Sequence, residues 1–378
     1  MFSFNKFFNE YYGWWKNIDK FLLFLIFLLF FLGLFFSLVS TSIIASDKLN
    51  TNTYYFFIKH LFFIFLGLAI LITFSFLDQN KLLNSSKILF IISFIMLTLV
   101  PFIGVEVKGS MRWIDLPVVP KFQPVEFVKP FFIIMIASVL SLNNYKNIYI
   151  KYFLSLLIII PIILFLVSQP DIGQVLLIVL TWFSVIFVSG INLIFFFSFF
   201  TLIFLILSYL IVFIPKFEYI QKRLLSFLDP NSGNNYQSEK ASEAISNGGF
   251  FGKGIGEGQL NSRIPEAHTD YIISVIAEEF GVVIVIAIML IFLIFAYKVL
   301  QKIYMEQDNK IKLILVGSIS LILLQTFIHI GVNIRILPTT GMTLPFLSYG
   351  GSSIIGNAMI AGLILNLTKK IPLNQDNL

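Results

Sequence analysis

The arrangement best suited to chemistry is an aspartate that closes a glycine-rich, charged segment just before an apolar run. The stretch Gly248–Asp270, GGFFGKGIGEGQLNSRIPEAHTD, places six glycines within eleven residues, at 248, 249, 252, 254, 256 and 258. Glycine at that density lets backbone amides approach a ligand closely and takes up positive φ, freedoms that a passive connector does not need. Lys253, Arg263, Glu266 and His268 accompany Asp270. A carboxylate there can take a proton from a hydroxyl, and neighbouring cations can hold an anion. Asp270 could equally cap the helix that starts at YIISVIAEEFG, and position alone leaves both readings open. The charged company it keeps is more than a cap needs.

Two further connectors carry polar groups. GSMRWIDLPVVPKFQPVEFVK holds Arg112, then Glu126 and Lys129 three residues apart on a helix that Gln123-Pro124 begins. That spacing puts both charges on one face, as a structural ion pair or as part of a functional cavity. Asp171, in SQPDIGQ, either lines a cavity or caps the helix after it. The chain has four arginines, 112, 223, 263 and 335. All fall on the side opposite most lysines, and a guanidinium fork suits phosphate, so an anionic ligand on that face is expected.

The elements that must position these groups are membrane helices. Of 378 residues 58% are hydrophobic and 12% charged, with a mean hydropathy of +0.91, far from the roughly 25% charge of soluble domains. Apolar runs of about 20 residues, enough to cross ~30 Å of hydrocarbon, recur near 21–41, 56–77, 88–105, 123–142, 152–169, 172–190, 192–214, 271–298, 313–336 and 346–367. Continuous runs without alternation exclude a barrel. The expected fold is an all-α integral membrane protein, a polytopic bundle of about ten transmembrane helices in one membrane domain, 1–378. It has a large extracytoplasmic loop, 215–270, between helices 7 and 8, with segments 1–20 and 368–378 cytoplasmic.

Thirteen lysines against six basic residues, setting that loop aside, support both termini inside. Lys16 and Lys20 precede a run too long for a cleavable signal, so a retained anchor is expected. In the loop, Phe217, Ile220, Leu224, Phe227 and Leu228 share a helical face, with Arg223 off it, which predicts an interfacial helix stopped at Asp229-Pro230. No cysteine and three scattered histidines, 60, 268 and 329, argue against a thiolate or zinc centre. The net charge of +6 suits anionic headgroups, and no basic tract suggests nucleic acid.

GSMRWIDL, FQPVEFVK, SQPDIGQ, FLDP, NGGFFGKGIGEG, PEAHTDYIISVIAEEFG and GMTLPFLSYGGSS occur in the order seen in the SEDS family, the RodA/FtsW membrane proteins of bacterial cell-wall synthesis. The resemblance covers nearly the whole chain, and the GEG, AEEFG and GMTLPFLSYGGSS segments look more like the division member, FtsW. Val125 stands where many members have Ser, and Lys240-Ala241 where many have Gln-Ser.

The resemblance implies a peptidoglycan glycosyltransferase. It would polymerise lipid II at the outer face of the bacterial cytoplasmic membrane, at the division septum, beside a class B penicillin-binding transpeptidase and other division-complex membrane proteins. Asp270, matching the family's essential Asp, would be the general base. Arg112, Lys129, Arg223, Lys253 and Arg263 would contact phosphate, with Glu126, His268 and Asp171 lining the substrate site. A divalent cation, Mg or Mn, could share the work, though no ligand cluster demands one. A lipid II flippase or a non-catalytic division scaffold are the alternatives; a flippase should show internal repeats or paired broken helices.

Overall fold

The computed structural model describes residues 11–48, 54–107, 110–117, 120–142, 147–229, 235–260 and 263–370. Pro230, expected to stop the loop helix, lies outside them, as do residues 1–10 and 371–378. The chain is an all-α bundle. In order, the helices are α1 Lys20–Lys48, α2 Tyr55–Phe76, α3 Gln79–Ile103, α4 Pro124–Leu140, α5 Ile148–Ser168, α6 Ile172–Val188 and α7 Leu193–Phe213. Then follow α8 Glu218–Leu228, α9 Tyr236–Gly248, α10 Ile272–Phe280, α11 Val282–Met305, α12 Asn309–Asn333 and α13 Gly351–Leu367.

Among the described residues, seven helices are long and apolar enough to cross a membrane: α1, α2, α3, α5, α7, α11 and α12. Three of the expected spans are shorter helices, α4, α6 and α13, of seventeen residues each. The non-helical stretch leading into α13 explains its length. Met342, Leu344, Phe346, Leu347 and Ser348 are buried there without being helical. Irregular backbone is tolerated at such depth only where protein covers it. Phe30 of α1 and Phe292 of α11 supply that cover against Phe346.

Two elements were not expected from the sequence. The connector after α3 is a hairpin of β1 Val105–Val107 and β2 Ser110–Trp113, antiparallel, pairing Glu106 with Met111. The 215–270 segment contains a second helix, α9, which buries Ser238, Ala241, Ala244 and Gly248 against α10. The helix expected in the loop forms as α8, with Ile220 buried on it and Phe217 buried just before it.

The centre of the bundle is α12, packed on α4, α6 and α13. Close approach is possible because a Cβ at Gly317 would stand 2.6 Å from Ile133 of α4 and 3.0 Å from Val185 of α6. Such small-residue contacts are how membrane helices associate without a hydrophobic driving force. Trp182 of α6 is fully buried and donates from Nε1 to Ser155 Oγ of α5 at 3.1 Å.

Candidate functional site

Asp270 ends the turn that precedes α10 and is half-buried. Its backbone N–H donates to Glu266 O at 3.0 Å. The helix opens with Tyr271 in the capping position and no side-chain hydrogen bond from Tyr271. What fixes Asp270 is Asn333 at the end of α12. Asn333 Nδ2 donates to Asp270 O at 3.1 Å, and its Oδ1 accepts from Ser274 N at 3.2 Å and Ser274 Oγ at 2.8 Å. One buried amide thus pins the Asp270 peptide and the first turn of α10 to the bundle.

Asn333 is the top of a row. Gln325, His329 and Asn333 recur every four residues, so they share a face of α12. Gln325 Nε2 donates to Thr343 O at 2.9 Å and His329 Nδ1 to Met342 O at 2.8 Å. The 338–350 segment is in turn joined to the Asp270 turn: Ser348 Oγ donates to Thr269 O at 2.6 Å and Tyr349 N to His268 O at 3.0 Å. A Cβ at Gly341 would lie 3.5 Å from Asp270 Oδ2, so this segment forms one wall beside the carboxylate. Arg223 of α8 reaches the same wall, Nη1 donating to Thr339 O at 3.3 Å, and the Tyr271 hydroxyl feels the charges of both Asp270 and Arg223.

Other expected site residues have different neighbours. The His268 ring packs on Phe56 and Tyr349, centroids 5.2 and 5.5 Å away, which ties the turn to α2. Lys253 and Arg263 are exposed, and among the described residues neither makes an ion pair. Lys129 Nζ lies 2.7 Å from Glu126 Oε2, with both side chains buried, so the expected pair forms. Gln174 Nε2 donates to Glu126 Oε1 at 3.0 Å, and Lys129 Nζ to Gln325 Oε1 at 3.4 Å. The pair is therefore wired to the α12 row, and its depth keeps Lys129 from a phosphate in solution.

Arg112 is likewise engaged. Nε donates to Gln169 O at 3.3 Å, Nη2 to Pro170 O, and Nη1 stands 3.6 Å from Asp171. Asp171 also accepts from Gln123 Nε2 at 2.7 Å. Burial pushes the Asp171 carboxyl above its ordinary range, against the downward pull of Arg112 and the Gln174 amide. Arg112 and Asp171 thus bind the hairpin, the start of α4 and the α5–α6 corner together.

The glycine run has a purpose that its composition did not reveal. Gly281, at φ 82°, splits the expected eighth span into α10 and α11, and residues 248–254 close on that break. Lys253 N and Gly254 N donate to Glu278 O and Glu279 O, while Val282 N and Val283 N donate to Gly249 O and Phe250 O. Each broken helix end leaves backbone groups without intrahelical partners, and the run supplies partners to both ends. Space there is minimal: a Cβ at Gly248 would stand 1.9 Å from Ala277 O, and one at Gly252 2.1 Å from Glu279 O. Gly248 and Gly252 thus approach the protein's own backbone, whereas a Cβ at Gly249 or Gly256 would meet nothing within 4 Å.

Glu278 and Glu279, both buried, complete the clasp and were missed from sequence. Glu278 Oε1 accepts from Asn247 Nδ2 and Leu260 N, and Glu279 Oε2 from Gly256 N. Two adjacent acids in an apolar helix were the available signal, since such groups persist there only with partners.

Comparison with known proteins places this geometry in context. The FtsW/RodA/SpoVE family model, described as "Cell cycle protein", matches residues 19–371. The chain is 36% identical to the "probable peptidoglycan glycosyltransferase FtsW" of Buchnera aphidicola subsp. Schizaphis graminum, over 89% of this chain and 98% of that one. It is 35% identical to the protein of the same description from Coxiella burnetii, over 87% and 90%. Among solved structures it resembles a chain of a peptidoglycan synthase complex coordinating polymerization and crosslinking, with TM-score 0.76, 26% identity and 93% and 97% coverage. The rod shape determining protein RodA of Thermus thermophilus is similar, with TM-score 0.66, 26% identity and 94% and 97% coverage.

Proposed function

The chain belongs to the FtsW/RodA/SpoVE cell cycle protein family, and on that footing we propose that it is a multi-pass membrane peptidoglycan glycosyltransferase with Asp270 as its general base. The substrate is lipid II, the undecaprenyl-pyrophosphate-linked disaccharide-peptide. The reaction joins an acceptor sugar hydroxyl to the anomeric carbon of a lipid-linked donor. Asp270 takes the hydroxyl proton as the new C–O bond forms, the bond to pyrophosphate breaks, and the anomeric centre inverts. The pyrophosphate leaves as an anion and needs no proton, so one carboxylate suffices where glycosidases use two.

The observation that carries this reading is the fixing of Asp270. Asn333 holds its carbonyl, Ser348 and Tyr349 hold the two residues before it, and its carboxylate faces the wall at Gly341. A base held to that degree is pre-organised for attack. Arg223, beside it, is the first choice to meet developing phosphate charge. Glu126, Lys129, Arg112 and Asp171 act by holding the framework. Among the described residues no group of three histidine or acidic side chains stands together to hold a metal. A divalent cation, Mg or Mn, bound to the substrate's pyrophosphate would help neutralise the charge that develops there.

Both termini are cytoplasmic in this reading, which is supported by the lysine-rich connectors on their side. The 215–270 segment and Asp270 then face outward, where a class B penicillin-binding transpeptidase would crosslink the strands at the septum. A relative's structure in a polymerising and crosslinking complex supports such a partner.

The test is Asp270→Asn. The amide keeps the size and hydrogen bonding but accepts no proton. Lipid II polymerisation by the purified variant should fall at least ~100-fold, the ordinary contribution of a positioned base, while expression and partner binding persist. A folded variant that polymerises within a few-fold of wild type would refute the assignment.

A further inference from the structure

Arg335, like Arg263, has no task in the mechanism above. It follows α12 two residues after Asn333, at φ 58°. That left-handed region is costly for a side-chain-bearing residue and open to glycine. Strain of this kind persists where the surroundings enforce it, and it clusters at ligand sites. Arg335 lines a cleft of about 240 Å³ together with Arg223, Ser226, Asn235, Gln237 and Thr339. Among the described residues no carboxylate pairs with Arg335. Two guanidinium groups line this one small cleft, and polar side chains complete the lining. The cleft adjoins the candidate base: Arg223 shares the field at Tyr271 with Asp270, and Asn333 holds the Asp270 carbonyl.

We propose that Arg335 and Arg223 form a two-guanidinium clamp for an anionic group of the lipid-linked substrate, a phosphate or a stem-peptide carboxylate, beside Asp270. The clamp rests on the reading of the chain as a lipid II polymerase. Each fork accepts two oxygens, so the site discriminates by geometry as well as charge.

The strain makes the test sharp. Arg335→Gly removes the guanidinium and relieves the backbone together, so the purified full chain should melt at the same temperature or higher. Binding of fluorescent lipid II, and its KM, should weaken at least ~10-fold, the order expected for losing a charge-assisted fork. Arg335→Lys, which keeps charge but not the fork, should recover only part of the affinity. Two probes identify the anion. Inorganic pyrophosphate should compete with lipid II in wild type but not in Arg335→Gly if the clamp holds phosphate. Lipid II amidated at its stem carboxylates should bind wild type as weakly as native lipid II binds the variant if it holds carboxylate.

Lipid II binding by Arg335→Gly within twofold of wild type, a fall in its melting temperature, or failure of both probes would overturn the clamp. Binding is read without turnover, in an Asp270→Asn background. Weakened binding alongside normal polymerisation by Asp270→Asn would remove the base and leave the clamp. Normal binding by Arg335→Gly with an inert Asp270→Asn protein would do the reverse.

Discussion

Helices α7 and α12 are both apolar enough to cross a membrane, yet they occupy opposite environments. In α7 no residue is buried, whereas 18 of the 25 residues of α12 are. α7 is the greasier of the two, with Phe and Leu on every side, and α12 carries Gln325, His329 and Asn333. In water the greasier helix would be the interior one. Lipid is as apolar as Leu, so here the greasiest helix gains nothing by hiding, and polar side chains seek protein partners.

The contrast can be broken most forcefully at the ion pair attached to α12. Glu126→Ala leaves Lys129 buried without its carboxylate, which should cost about 3–5 kcal/mol, read as a large drop in thermal midpoint in detergent. Replacing both partners by apolar residues of similar size, Glu126→Leu with Lys129→Met, should restore most of that stability. If the single variant melts like wild type, the interior of this bundle does not depend on its polar groups.

That pair was legible in the sequence because an i, i+3 Glu and Lys in an apolar run have few other options. The bundle and the helix in the loop were legible too, since hydropathy and a 3.6-residue period are local properties. The clasp was not. Glycines at 248 and 252 look alike whether they meet a ligand or Ala277 and Glu279, and only the fold supplies the other side. Arg112 looked free for phosphate because Gln169 and Pro170 lie 57 and 58 residues away. Asn333 reads as one polar residue at a helix end, and its hold on Asp270 spans 63 positions.

A middle-sized effect should come from Asn333→Ala. Hydrogen bonds between membrane helices average about 0.6 kcal/mol, so losing the three that Asn333 makes to Asp270 and Ser274 should lower stability by only about 2 kcal/mol. Loss of positioning should lower kcat by roughly tenfold, with lipid II affinity nearly kept. A loss of stability with kcat unchanged would make Asn333 a packing residue. The smallest effect belongs to α7: Phe197→Leu and Phe204→Leu, both exposed, should each shift stability by less than about 0.5 kcal/mol and leave polymerisation alone. A larger shift would show that α7 is covered by something other than lipid.

The broken span also dictates an order of events during synthesis. α11, with 24 residues, measures roughly 36 Å and can cross the bilayer alone, whereas α10, with nine, reaches about 14 Å. Opening the break to lipid would strip partners from the four backbone groups that residues 249–254 now satisfy, at several kcal/mol each. The glycine run precedes the break in the chain, so it leaves the ribosome before α10 and α11 do. The cap is made before the helix ends it will close, and a ribosome that delivered them in the other order would leave the break bare.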